Sequence, residues 1–282
     1  MIRIENEFIQ AEIAPIGAEI IVLKRRGAQN VLWKKEDSIW NRTSPNLFPI
    51  VGRLIDDNYT LRGQKFQMNQ HGFARDCLFE VIKIATDEVR LLLRSSEQTK
   101  VKYPFEFEFI VTYRLMFNQI EVSFQTKNLN SHIMPYSVGG HPGFAIGGEL
   151  SEYQLDFHES MILERSILDG PFYSGKLETM DINKELSLEN ELFENEALVF
   201  KSPPFSAVTL THKSQGPMVT LSSNNWEAVG FWTKPFAPFF CIEPWWGWAD
   251  HLNSSGDLEK KIGVHLLLPN QMESVSFTIE LH

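Results

Sequence analysis

Cysteine is nearly absent: of 282 residues only Cys77 and Cys241 carry a thiol. Two cysteines cannot build the disulfide framework of a small secreted domain. The N-terminal Met1-Ile2-Arg3-Ile4-Glu5-Asn6-Glu7 has no long apolar region after a basic start, so a leader peptide is not expected. The expected setting is cytoplasmic, with both thiols reduced. No run approaches the ~18 apolar residues of a membrane helix, so no membrane partner is expected. Basic runs are also missing, and the formal net charge is −10, which argues against a nucleic-acid partner.

Cofactor and metal signatures are lacking too. There is no His-Glu-x-x-His and no Cys-x-x-Cys, and the adjacent Asp250 and His251 would point to opposite faces of a strand. Gly139-Gly140-x-x-Gly143 lacks the spacing of a dinucleotide or phosphate loop, and Ser137 and Ser222 lack a nucleophile-elbow pattern. Neither metal nor cofactor is expected. Helical periodicity is scarce. Asn183 to Phe193 could hold a helical turn or two, or equally a loop, and the acidic run Glu185 to Glu196 reads as a solvated face. No Ser/Gly/Pro linker divides the chain, so residues 1–282 are expected to form one domain.

What the chain has in quantity is period-two alternation. Phe8 to Ile13, Glu19 to Lys24, Val89 to Arg94, Phe105 to Leu115, Gln119 to Lys127 and Ser274 to Leu281 alternate as half-buried strands do. Turn signals such as Arg26-Gly27, Phe117-Asn118 and Asn128-Leu129-Asn130 separate them. At 43% hydrophobic and 22% charged, the composition is that of a globular protein. The expected class is all-β, a large antiparallel sheet structure whose functional residues sit on turns and strand ends.

Three segments carry candidate chemistry. In the first, Arg53 ends Asn46-Leu47-Phe48-Pro49-Ile50-Val51-Gly52-Arg53, and His71 opens Gln70-His71-Gly72-Phe73-Ala74-Arg75. Tyr59 to Phe66, with a turn near Arg62-Gly63, reads as a hairpin that would bring Arg53 and His71 together. Arginine offers a planar fork of donors, and histidine donates or accepts near neutral pH. The second is Gly139-Gly140-His141-Pro142-Gly143-Phe144, where glycines permit close approach of a ligand and His141 suits a general acid. The third is Cys241-Ile242-Glu243-Pro244-Trp245-Trp246-Gly247-Trp248. A carboxylate in so apolar a run is costly without a task, and burial would raise its pKa toward that of a usable base. Tryptophan faces stack on the C–H face of a sugar ring. Each residue also has a structural reading: a surface arginine, a satisfied core histidine, a glutamate at an exposed strand end.

With these segments, and with Leu192-Phe193-Glu194-Asn195-Glu196-Ala197-Leu198-Val199-Phe200-Lys201, the chain resembles the aldose 1-epimerase (galactose mutarotase) superfamily, more narrowly its LacX-like branch. The resemblance spans nearly the whole chain. It implies the galactose mutarotase-like β-sandwich and a cofactor-independent isomerase that opens and recloses a hexose ring. It implies His141 as general acid and Glu243 as general base, with Arg53 and His71 holding sugar hydroxyls. Arg75 and Trp245 are further expected sugar contacts. Glu196 is the candidate where the family has a sugar-binding aspartate. The implied partner is a small sugar, an aldohexose or its phosphate. A hexose-6-phosphate 1-epimerase and a non-catalytic sugar-binding protein are the alternatives. The implied pH–rate profile is a bell, with Glu243 ionising on the acid limb and His141 losing its proton on the alkaline limb.

Overall fold

The alternating segments become strands of two large antiparallel sheets in the computed structural model, which describes residues 1–282. In spatial order, the nine-stranded sheet is Glu185–Ser187, Tyr153–Asp156, Ala207–His212, Gly216–Ser222, Met272–Leu281, Gln119–Asn128, Phe107–Met116, Glu88–Arg94 and Glu80–Ile84. The eight-stranded sheet runs Phe172–Ile182, Met161–Asp169, Leu198–Lys201, Ala228–Trp232, Phe239–Trp246, Val138–Gly140 and Asn46–Leu47, with Gly143–Ala145 also pairing on Phe239–Trp246. Ile2–Glu5, Ile9–Ala14 and Glu19–Arg25 form a smaller sheet. The all-β antiparallel expectation holds.

The alternation is literal in Gln119–Asn128, where Ile120, Val122, Phe124, Thr126 and Asn128 are buried and the residues between them are not. Ile120, Val122 and Phe124 meet side chains of the other sheet in one core cluster that runs from Ile4 to Leu281 and includes Phe240, Ile242 and Trp246. Phe48 stacks on Phe109 at 4.4 Å between ring centroids, tying the first functional segment to the core. The expected hairpin is present as Asn58–Leu61 against Gln64–Gln67.

Two local expectations change. Phe105 and Glu106 precede the strand, because the Glu106 N–H is taken by the Asn130 side chain rather than by a neighbouring strand. Asn183 to Phe193 splits into the edge strand Glu185–Ser187 and a 3-10 turn, Asn190–Phe193. Pairing of Leu186 with Leu155 outweighs the helical tendency of a short, charge-rich stretch.

Phe239–Trp246 is buried on both faces over its whole length. One face, Phe240, Ile242 and Trp246, belongs to the main core. The other carries Cys241, Glu243 and Trp245 between two satellite clusters. One cluster contains Trp33, Phe239 and Cys241; the other includes Val51, Tyr173, Val199 and Trp245. The functional pocket lies on this second face.

Candidate active site

His141 and Glu243 face each other because of strand register. Gly139 pairs with Trp245 and Gly143 with Cys241, so His141, midway between the glycines, falls opposite Glu243. His141 Nε2 lies 3.1 Å from Glu243 Oε2. Both residues are buried, His141 at 7% and Glu243 at 2% exposure, too little for water to screen the pair. Beyond that contact, Glu243 Oε2 has no hydrogen-bond partner, and His141 Nδ1 has none at all.

Burial holds the Glu243 carboxyl well above the usual carboxylate range, with the Trp245 indole N–H pulling weakly the other way. Burial pushes the His141 imidazole down to about 3, and the Arg75 guanidinium adds to the effect. Both shifts favour neutral forms. The pair therefore holds one mobile proton that can sit on the carboxyl or on Nε2 at unchanged total charge. Such a pair titrates as a unit.

Aromatic rings fix the imidazole. Trp40 lies 5.0 Å from it at an interplanar angle of 31°, and Trp232 meets it edge-on at 5.6 Å and 88°. Trp40 in turn stacks on Phe239 at 5.0 Å. Gly143 is required here: a Cβ at that position would come within 2.6 Å of the Trp40 ring. Gly230, paired with Glu243, admits the Trp245 ring in the same way, since a Cβ there would lie 2.8 Å from it.

His71 stands 5.6 Å from His141, centroid to centroid. The Gly52 N–H donates to His71 Nδ1 at 3.1 Å, which assigns the hydrogen of the neutral ring to Nε2. Burial, with His141 and Arg75 nearby, holds its pKa well below the ordinary value, so His71 is a neutral donor. Arg75 sits in the 3-10 turn Ala74–Asp76, where its guanidinium donates to the Gln70 carbonyl at 2.6 Å and its Nε is buried without a partner.

These groups line a pocket of about 280 Å³ together with Glu196, Trp245, Tyr173, Trp40 and Trp232. The volume suits a small ligand rather than a drug-sized one, for which about 300–1,000 Å³ is usual. Of the residues expected from sequence, His141, Glu243, His71, Arg75, Glu196 and Trp245 come together, with Glu196 exposed at the mouth on a left-handed backbone position.

Arg53, expected among the sugar contacts, is not one of the residues that line this pocket. Asp56 and Asp57 adopt positive φ just after it, and the Asp57 carboxylate takes the Arg53 guanidinium in a two-point pair at 2.8 and 2.6 Å. The backbone still does what the hairpin implied, since the His71 N–H donates to the Gly52 carbonyl at 2.8 Å.

Tyr173, Trp40 and Trp232 were not foreseen as site residues. Tyr173 approaches from the hairpin of Met161–Asp169 and Phe172–Ile182, and its hydroxyl is buried without a partner. Trp40 lies in an irregular loop with no periodic signal. Cys241 was legible only as a neighbour of Glu243 at period two; its thiol is pushed well up by burial and by Glu243.

A sequence model of the family described as Aldose 1-epimerase matches residues 1–265. The chain belongs to the aldose 1-epimerase family. It is 26% identical over 298 residues to the plasmid-encoded Protein LacX of Lactococcus lactis subsp. lactis, with 99% of each chain covered. The structure superposes on a galactose mutarotase related enzyme from Lactobacillus acidophilus with a TM-score of 0.96 and 34% identity, covering 100% of this chain and 97% of that one. A galactose mutarotase-like protein from Lactobacillus casei gives a TM-score of 0.92 and 28% identity, with both chains covered in full. The fold is thus that of the galactose mutarotase-like sandwich, and an isomerase of the aldose 1-epimerase type is the general function. No helix is long and apolar enough to cross a membrane.

Proposed function

We propose that this protein interconverts the α and β anomers of a free aldohexose through proton transfers by Glu243 and His141. The observation that carries this reading is the buried contact of 3.1 Å between the two groups, inside a pocket of monosaccharide size. When the sugar enters, Glu243 takes the proton of the anomeric O1 hydroxyl while His141 gives one to the ring oxygen O5. The C1–O5 bond breaks and an open-chain aldehyde forms. Rotation about C1–C2 presents the other carbonyl face. Reclosure returns the proton from O5 to His141 and from Glu243 to O1. Each proton transfer is worth roughly 10²–10⁴-fold. The reaction needs no redox step and no electron sink, so we propose that it proceeds without a cofactor.

The other lining groups have roles that follow from their chemistry. His71 donates from Nε2 to a sugar oxygen, Arg75 donates from its unpartnered Nε, and Trp245 covers an apolar ring face. Glu196 accepts from a hydroxyl at the mouth. The whole chain acts as one domain in the cytoplasm. A hexose 6-phosphate is the second reading, favoured by the Arg75 guanidinium at the pocket and opposed by Glu196. Anomer exchange followed by NMR on matched hexoses and hexose 6-phosphates decides between the two. Faster exchange of the free sugar supports the first reading, and faster exchange of the phosphate supports the second.

A further inference from the structure

Cys241 precedes Glu243 by two residues on a strand, so both side chains leave the same face. His141 meets that face from the neighbouring strands. One donor atom from each of the three, a ring nitrogen, the sulfur and a carboxylate oxygen, lies within 4.8 Å of the other two, and all three residues are buried. His141 Nδ1 is without a hydrogen-bond partner, and Glu243 Oε2 has none beyond its 3.1 Å contact with His141 Nε2. Apolar aromatic packing accounts for none of this polar convergence, and the epimerase chemistry uses only two of the three groups.

We propose that His141, Cys241 and Glu243 form a site for a thiophilic divalent cation, Zn²⁺ in chemical class, and that its occupation shuts off sugar turnover. A nitrogen, sulfur and oxygen donor set suits zinc, which takes four ligands in a tetrahedron. Three protein donors leave the fourth position for water on the pocket side. Hard cations such as Mg²⁺ and Ca²⁺ seek oxygen ligands and find only one residue that offers them here. The cation enters by the mouth that admits the sugar. As the cation binds, two protons pass to solvent: the thiol proton of Cys241 and the mobile proton of the His141–Glu243 pair. The bound ion then holds both the acid and the base, so neither moves a proton, and sugar and cation exclude each other. Binding is independent of the function proposed above; the loss of turnover rests on it.

The test uses Cd²⁺ as a spectroscopic probe and Zn²⁺ as the inhibitor, on wild type, Cys77→Ser and Cys241→Ser. Cys77 lies on the segment after Arg75, away from the trio, so Cys77→Ser leaves Cys241 as the sole thiol. The expected result is an ultraviolet thiolate-to-cadmium band in wild type and Cys77→Ser, absent from Cys241→Ser. Zn²⁺ should inhibit exchange competitively with sugar, with reversal by chelator and no effect of Mg²⁺. In Cys241→Ser, measured against its own uninhibited rate, the inhibition constant should rise at least about tenfold, since even outer partners of a metal site are worth 10–100-fold in affinity. Absence of the band in Cys77→Ser overturns the site, and decides it even if Cys241→Ser fails to fold. Equal zinc sensitivity in Cys241→Ser and wild type overturns it as well. A cadmium band with full sugar turnover at saturating Zn²⁺ overturns the inhibitory role. A band in a protein that exchanges no sugar leaves the metal site standing and counts against the epimerase reading instead.

Discussion

His141 Nε2 and Glu243 Oε2 lie 3.1 Å apart in a pocket whose walls leave both groups almost no contact with water. The same burial drives the imidazole down to about 3 and the carboxyl up, so both groups are pushed toward their neutral forms. The tautomer with the proton on His141 is the one that opens the ring, and it differs from the resting tautomer only by a transfer along the contact.

The pH–rate profile should therefore be a broad plateau with its limbs exchanged relative to the sequence-based expectation. The acid limb reports a second proton on the pair and follows the depressed His141. The alkaline limb reports loss of the mobile proton and follows the raised Glu243. Rates of anomer exchange measured from acid to alkaline pH check this. A rate that falls steeply between pH 5 and 6.5 would contradict it.

Glu243 should cost stability at neutral pH. Its folded pKa lies above the ordinary 4.5, so the folded chain keeps a proton that the unfolded chain has lost. Stability is present in full below about 4.5 and is lost as pH rises toward the folded value. Glu243→Gln has no such loss. Thermal unfolding should show no gain for the variant near pH 4 and a growing gain above it, by up to about 1.4 kcal/mol per pH unit within that window. A gain independent of pH would sink the argument.

Arg75 and Arg53 should separate cleanly. Arg75→Ala removes a charged donor from the pocket, and a charge-assisted hydrogen bond of about 1.5–3 kcal/mol corresponds to a KM increase of about 10–100-fold. Arg53→Ala breaks only a surface pair with Asp57, so KM should stay within about twofold and stability within about 1 kcal/mol. Steady-state kinetics on both variants decide; a larger KM effect at Arg53 would reverse the assignment.

Tyr173→Phe should raise KM by about 2–10-fold, the range of one neutral hydrogen bond. Its hydroxyl has no partner in the folded protein, so removing it should leave the melting temperature unchanged or higher. An unchanged KM together with a lower melting temperature would make Tyr173 purely structural.

The legible part of the fold was its local part. Alternation marks Gln119 to Lys127 and Ser274 to Leu281 as strands, yet nothing in either segment says that the two strands pair along nearly their full length, 145 to 161 residues apart. The site follows the same rule. His141 and Glu243 stand out because a polar group in a glycine or aromatic run has few structural uses, but their apposition depends on register between distant strands. For Arg53 the hairpin fixes where the backbone lies, whereas the left-handed turn at Asp56 and Asp57 puts its guanidinium on the Asp57 carboxylate. Trp40 and Tyr173 reach the pocket from a loop and a hairpin whose position no local pattern encodes.

The most direct test of the central claim is anomer exchange by NMR with wild type and Glu243→Gln on a panel of free and 6-phosphorylated aldoses. Wild type should exchange at least one free hexose, and a folded Glu243→Gln should do so about 10²–10⁴-fold more slowly. Exchange that survives the substitution undiminished would contradict it, as would a folded wild type that binds these sugars and exchanges none.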